Sequence, residues 1–194
     1  LVGNGYGGVG QAYDDVTPRA YEENHDGMAT TTAIDSLGAN MDNGQILYMS
    51  PSFDLAGLSA SFMAEYAPEA SDAAVTDGSV STSSDLWSSG KGLGIKLSGF
   101  GFSGGAYANE LDMENNTSKV EENATSATWH VSYSAGPVSV GYQVGGAETG
   151  VKGVGEAATS AKAYTTAFGN FEFEKMSIAA NVSDNMSISW GELT

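Results

Sequence analysis

The residues that could most readily bind a ligand or take part in chemistry are charged side chains in the first quarter of the chain. Clustered carboxylates can bind a cation such as Ca²⁺, but the spacing of an EF-hand loop is absent. His25 lies near two of these acids, yet it lacks a cysteine or a spaced second histidine with which to hold a metal. The sequence therefore predicts no bound cofactor, with Ca²⁺ at the acidic loops as the one cation to consider. The charged set is Asp14, Asp15, Arg19, Glu22, Glu23 and Asp26.

Motifs for catalysis are weak. Gly3, Gly5 and Gly8 match the glycine pattern of dinucleotide-binding turns, but no helical pattern follows them, which such a site requires. Serine, histidine and aspartate all occur without a nucleophile elbow. We therefore predict that the protein is not an enzyme.

Composition narrows the classes of partner. The chain has 194 residues, 26 glycines, 4 prolines, no cysteine and a formal charge of -17. A strongly acidic surface repels phosphate backbones, which argues against nucleic-acid binding. The chain contains no run of 18 apolar residues, so the sequence does not predict a transmembrane helix. Since barrel strands give only a weak local signal, this does not exclude a membrane protein.

The stretch from Ala127 to Ala147 has the clearest pattern and must position much of any site. Apolar residues alternate with small or polar ones on both sides of an Ala-Gly-Pro turn. Because side chains on a strand alternate between two faces, this predicts a hairpin with one apolar and one polar face. Such a hairpin suits a soluble sheet and equally the wall of a water-filled barrel.

Similar short strands recur from residue 45 onward, which predicts an all-β, antiparallel fold of about eight strands. Connection lengths alternate, as expected when short turns lie at one end of a barrel and long loops at the other. Tyr164–Phe173 resists this scheme, and we interpret it as a strand-like excursion within a long loop. The short turns are predicted near 51–57, 99–101, 135–137 and 183–185, and the long connections at 67–91, 112–126 and 148–174.

Three motifs resemble the general diffusion porins of Gram-negative outer membranes, especially alphaproteobacterial ones. They are GQILYMSPSF at 44–53, VSYSAGPVSVGY at 131–142 and NVSDNMSISWGE at 181–192. The resemblance covers most of residues 45–193. It implies a sixteen-stranded, usually trimeric, transmembrane β-barrel, of which residues 1–194 would form one partial domain. The absence of a leader and of a terminal aromatic residue leads us to expect the middle of a longer polypeptide.

In porins, a long inward-folded loop narrows the pore. Carried over, that loop is residues 3–43, and its charged set would form one side of the constriction, although a solvated acidic loop explains it as well. Lys96 is the only cation that we can propose on the opposing wall. By the alternation, Glu65, His130 and Gln143 also point to the lumen, and a merely wet wall accounts for them equally.

We therefore expect a passive outer-membrane channel for small hydrophilic solutes and ions, embedded in lipid as a homotrimer and preferring cations. The alternative is a secreted, acidic, calcium-binding β-sandwich of a surface layer or adhesin. In the sandwich, the apolar faces would meet in a dry core. In the channel, Trp129, Val131, Val140 and Ile188 would face outward.

Overall fold

Ten strands form one antiparallel sheet in the part of the chain that the structure describes. The computed structural model describes residues 2–4, 9, 16–19, 43–68, 87–113, 123–148 and 170–194. The strands are β1 (Val2–Asn4), β2 (Asn43–Met49), β3 (Phe53–Leu55), β4 (Leu58–Ala67), β5 (Trp87–Gly99), β6 (Phe102–Met113), β7 (Ala124–Ala135), β8 (Val138–Glu148), β9 (Asn170–Ser183) and β10 (Met186–Leu193).

Each strand pairs with its neighbour in the chain, except that the short β3 pairs only with β4 while β2 and β4 pair directly. The first and last strands of this path, β1 and β10, do not pair with each other in the described residues, so the sheet is open. The prediction of an all-β antiparallel fold is confirmed. The described strands number ten instead of about eight, because β1 and β3 are short strands that we did not separate from their loops.

Two-residue turns join four of the strand pairs, all at the same end of the strands. The strand ends that the longer connections join lie at the opposite end, which we call the loop edge; these connections fall within 68–86, 114–123 and 149–169. At 56–57 and 100–101 both central residues have positive φ, between 54° and 86°. This is the backbone of a type I′ turn, whose twist matches that of the flanking strands.

One sequence prediction is wrong. We placed Tyr164–Phe173 in a loop excursion, but residues 170–173 begin β9 and pair with β8 as far as Glu148. Residues 164–169 lie outside the described part of the chain. β9 is therefore longer than its apolar alternation indicates, and it reaches the loop edge.

The turn between β5 and β6 depends on Gly101. Its φ is +81°, and a Cβ built there would lie 2.5 Å from the backbone oxygen of Ser134. Replacing Gly101 with alanine should therefore lower the free energy of unfolding by about 1–3 kcal/mol. Chemical denaturation followed by tryptophan fluorescence measures this change.

Gly136 supplies the matched control for that substitution. It also has positive φ, +58°, but nothing lies within 4 Å of its built Cβ. Gly136→Ala should therefore cost only the backbone strain, about 1 kcal/mol. Equal losses in the two variants would show that contact with β7 contributes nothing at Gly101.

Candidate functional site

The two faces of the sheet differ sharply in chemistry. On one face, which we call the outer face, large apolar side chains are exposed: Trp129 is 44% and Ile188 57% accessible. Val140 is exposed as well, and Val131 is half-buried on the same face. The exposed set also includes Ile46, Tyr48, Phe62, Tyr66, Leu93, Ile95, Tyr133, Ile178 and Trp190. The described residues thus form no shared apolar interior on this face.

The opposite, inner face carries mainly polar and small residues in rows that cross the strands. One row joins a lysine on β5 to a histidine on β7 and a lysine on β9, and the next row toward the short turns is mostly serine. The first row is Ser61, Lys96, Gly105, His130, Gln143, Lys175 and Leu193, and the second is Ser59, Ser98, Ser103, Ser132, Gly141, Ser177 and Gly191.

All four residues that we predicted to share one face of the wall lie on the inner face. Glu65, His130 and Gln143 are buried, Gln143 being 1% accessible, whereas Lys96 is exposed. His130 stacks on Tyr107 with ring centroids 6.0 Å apart. Lys96, His130 and Gln143 fall in a single row across the sheet. Glu65 lies outside this row, since its partner on β5 is Gly92, four residues before Lys96.

The sequence analysis missed Lys175. It lies in the same row as Lys96 and His130, and its Nζ is 5.5 Å from the centre of the Phe173 ring. Counting alternation backward from the outward-facing Ile178 would have placed it on the inner face. The described inner face thus carries two lysines and one glutamate, with Asp54 on the short β3, although the chain as a whole is strongly acidic.

Part of the long connection between β1 and β2 lies on this inner face. We call Val9 together with Val16–Arg19 the inner segment. Val9 is 0% accessible and packs in an apolar cluster with Leu47, Met63, Tyr107 and Phe173. Its backbone N–H donates to Glu65 Oε2 at 2.6 Å.

The inner segment also reaches β8. A Cβ built at Gly141 would lie 2.2 Å from Cδ of Pro18, so the absence of a side chain on β8 makes this approach possible. Val16 lines a hollow of about 310 Å³ together with Lys96, His130 and five serines of the inner face. Of the charged set predicted from the sequence, only Arg19 belongs to the described residues; Asp14, Asp15, Glu22, Glu23 and Asp26 lie outside them.

Charged residues mark the loop edge of the outer face. Lys91 on β5 pairs with Glu110 on β6 at 3.2 Å, and the Asn123 amide donates to the same carboxylate at 2.9 Å. The Asn123 hydrogen bond and then Lys91 hold the pKa of Glu110 below its usual value, so this carboxylate stays ionised at the rim. The other exposed rim acids are Glu148, Glu172, Glu174 and Glu192.

Comparison with models of known protein families finds no match. Comparison with curated proteins finds none either. Fold and site therefore define the class by themselves: an antiparallel all-β protein with an apolar outer face and a polar inner face that holds a segment of its own chain. In the described residues no helix is long and apolar enough to cross a membrane. The same residues contain no cluster of acids and histidines that could hold a metal ion.

Proposed function

We propose that this protein is part of a transmembrane β-barrel of the outer membrane that forms a passive, water-filled channel for small hydrophilic solutes and ions. The observation that carries the proposal is the outer face: large apolar side chains cover it, and the charged residues lie at its loop edge. Exposed apolar patches of this extent are rare on soluble monomers. The wall of a membrane barrel has this arrangement, with lipid outside and water inside.

The slope of the charged boundary supports a membrane setting. From β5 to β8 the boundary stays in one row, at Lys91, Glu110 and Glu148, and this row reaches β9 at Asn170. On β10 it is at Glu192, which pairs with Met176, six residues further along β9. Six residues at about 3.3 Å, over five strand spacings of about 4.8 Å, give a tilt of about 40°. Strands of membrane barrels are tilted by about 35–45°.

The aromatic residues of the outer face follow the same slope. Tyr66 on β4 is level with Thr125 on β7, and Trp129 lies four residues beyond Thr125. Trp129 is in turn level with Thr194 on β10, three strands away, and Trp190 lies four residues from Thr194 in the direction of the short turns. Aromatic rings therefore form a line that starts level with the charged rim at Tyr66 and lies below it at Trp129 and Trp190, as in the interfacial girdle of a membrane protein.

The height of the apolar band is also suitable. On β8 the outer positions from Val138 to Gly146 are without charge, and Glu148 ends the run. Eight residues at about 3.3 Å and a tilt of about 40° give about 20 Å, close to the band of about 25 Å found in such barrels. From β5 to β10 the short turns shift along the strands in the same direction as the charged rim. The height of the apolar band therefore stays roughly constant.

No observation favours the calcium-binding sandwich. That fold needs a second sheet over the apolar face, and the described strands form one sheet. A homotrimer, and a total of sixteen strands, remain expectations from the resemblance to porins. Reconstitution of the full-length protein in planar lipid bilayers tests the channel: discrete conductance steps are expected, and their absence would reject it.

Charge selection should depend on Lys96. We propose a preference for cations because the chain as a whole is strongly acidic, and Lys96 on the inner wall acts against this charge. Removing one charge about 5 Å from the ion path changes the energy of an ion by about 0.8 kcal/mol in water, and screening by salt reduces this. Lys96→Gln should therefore raise the cation-to-anion permeability ratio by about twofold, measured from reversal potentials in a salt gradient.

Lys91 provides the control for charge selection. It lies on the same strand as Lys96 but on the outer face, where it pairs with Glu110. Lys91→Gln should leave the permeability ratio unchanged. An equal effect of both substitutions would contradict the assignment of Lys96 to the lumen, and anion preference of the unaltered channel would contradict the charge proposal.

A further inference from the structure

The inner segment is attached to the wall at two separate places. The first is at β4 and β5, where Val9 contacts Glu65, Gly92 and Gly94, and the second is at β8, where Pro18 contacts Gly141. The two attachments are three strand spacings, about 14 Å, apart across the sheet, and Gly141 lies a further four to six residues along β8 from the rows of Gly94 and Gly92. The inner segment therefore contacts the inner face at widely spaced strands, within the space through which solutes would pass.

At the first attachment a carboxylate and two glycines form the seat. Glu65 is buried and accepts the Val9 N–H at 2.6 Å. A Cβ built at Gly92 would lie 3.1 Å from Val9 Cβ, and one at Gly94 would lie 3.5 Å from Val9 Cγ1. The two glycines leave room for the Val9 side chain and, still closer, for those of Asn109 and Tyr107, while the Glu65 carboxylate satisfies the buried backbone donor of Val9.

At the second attachment the seat is the bare backbone of Gly141. Its built Cβ would lie 2.2 Å from Pro18 Cδ and 3.3 Å from Pro18 N. The φ of Gly141 is outside the left-handed region, so the backbone conformation of β8 does not itself require glycine. The close approach of Pro18 explains this glycine, and any side chain here must displace the proline.

We propose that Glu65 and Gly141 are positioning residues that set the size limit of the channel by seating the inner segment against the wall. This rests on the proposed channel function. Neither residue needs to contact the solute, because each acts through the place that the inner segment occupies in the lumen. The size limit can therefore be changed from the wall, without altering the inner segment itself.

The first test is Gly141→Val in the full-length protein, studied in planar bilayers. Displacement of Pro18 should widen the path, raising single-channel conductance by about 1.5- to 2-fold and admitting larger polyethylene glycols. Ala179→Val on β9 is the matched control, because it adds bulk to the inner face of the neighbouring strand, two residues beyond Ser177, the partner of Gly141. It should leave both quantities unchanged.

Pro18→Gly tests the same seat from the other side and does not alter the sheet. It should change conductance and the polymer size limit in the same direction as Gly141→Val. This second variant keeps the test decisive if valine at position 141 prevents folding. Wild-type conductance and size limit in Pro18→Gly would overturn the role of the Gly141 seat.

A disulfide can lock the first seat, because the chain has no cysteine of its own. The 3.1 Å between Val9 Cβ and the built Cβ of Gly92 is slightly below the usual 3.5–4.5 Å of disulfides. Once the Asn109 side chain shifts from the position of the new Cβ, Val9→Cys with Gly92→Cys should oxidise to a disulfide. In the triple variant that also carries Gly141→Val, the disulfide should cut the conductance increase caused by Gly141→Val to about half or less, and reduction should restore it.

The outcomes separate the two proposals. Channels whose conductance and size limit respond to neither seat would overturn the inference and leave the channel function standing. Complete absence of channels in the unaltered protein would overturn the channel function and, with it, this inference.

Discussion

Replacing Val140 with arginine is expected to prevent most of the protein from assembling in lipid. Val140 is exposed on the outer face and lies within the apolar band, two residues from its turn end at Val138. Arginine on the lipid face of a barrel costs about 2–4 kcal/mol near the bilayer midplane. Nearer the interface, at the depth of Val140, the cost falls to about 1 kcal/mol, so folding into lipid vesicles, measured as the fraction of protein in the heat-modifiable folded band on gels, should fall by about fivefold.

The neighbouring residue Ser139 supplies the control. It lies on the inner face of the same strand, where its hydroxyl is 2.8 Å from that of Ser134. Ser139→Arg should assemble nearly as well as the unaltered protein, since its charge can reach water. If both faces were in water, the two substitutions would have similarly small effects, and that result would contradict lipid contact at Val140.

Removing the carboxylate of Glu65 is expected to release Val9 from the wall. The buried Val9 N–H would lose its acceptor, and a lost hydrogen bond to a charged group costs about 1.5–3 kcal/mol. At 1.4 kcal/mol for each factor of ten, the released population should rise by about 10- to 100-fold. Because the chain has no other thiol, Val9→Cys gives a single label with which to measure this.

Maleimide should modify the thiol of the Val9→Cys protein slowly, since position 9 is inaccessible in the structure. Adding Glu65→Ala should accelerate the reaction by the same 10- to 100-fold. Glu65→Gln retains a carbonyl acceptor and should accelerate it much less. Equal rates in all three proteins would show that Glu65 does not hold the segment, whether or not the protein forms a channel.

Much of the sheet can be predicted from the sequence because a strand has a period of two. Once Trp129 and Val140 are assigned to one face, the positions of His130 and Gln143 on the other follow without further information. The antiparallel order follows from the short turns, whose glycines and Asp184-Asn185 are evident in the sequence. These are local features, and local features are readable from a single chain.

The beginning of β9 was not predictable in the same way, because its alternation is reversed. There the outer positions are Glu172 and Glu174, while Phe173 and Lys175 face inward. The reversal has a physical cause: this end of β9 rises above the apolar band, and Phe173 packs beneath Val9 in the inner cluster. A search for apolar outward positions therefore ends at Met176.

The wall residues that hold the inner segment could not be predicted from the sequence either. Glu65 and Val9 are 56 residues apart, and nothing in the alternation distinguishes a carboxylate that binds a backbone from one that is merely wet. Gly141 looks like any small residue on a polar face until Pro18 is placed against it. Contacts between distant segments carry no periodic signal.

The central claim, lipid on one face and water on the other, is tested most directly by nitroxide scanning of β7 in lipid vesicles. Single cysteines at Val131, Ser132, Tyr133 and Ser134 carry the spin label, and collision rates with oxygen and with a water-soluble nickel chelate are measured. Oxygen collisions should peak at 131 and 133 and nickel collisions at 132 and 134, because successive residues face opposite sides. Nickel collisions as frequent at 133 as at 134 would place both faces in water and contradict the account.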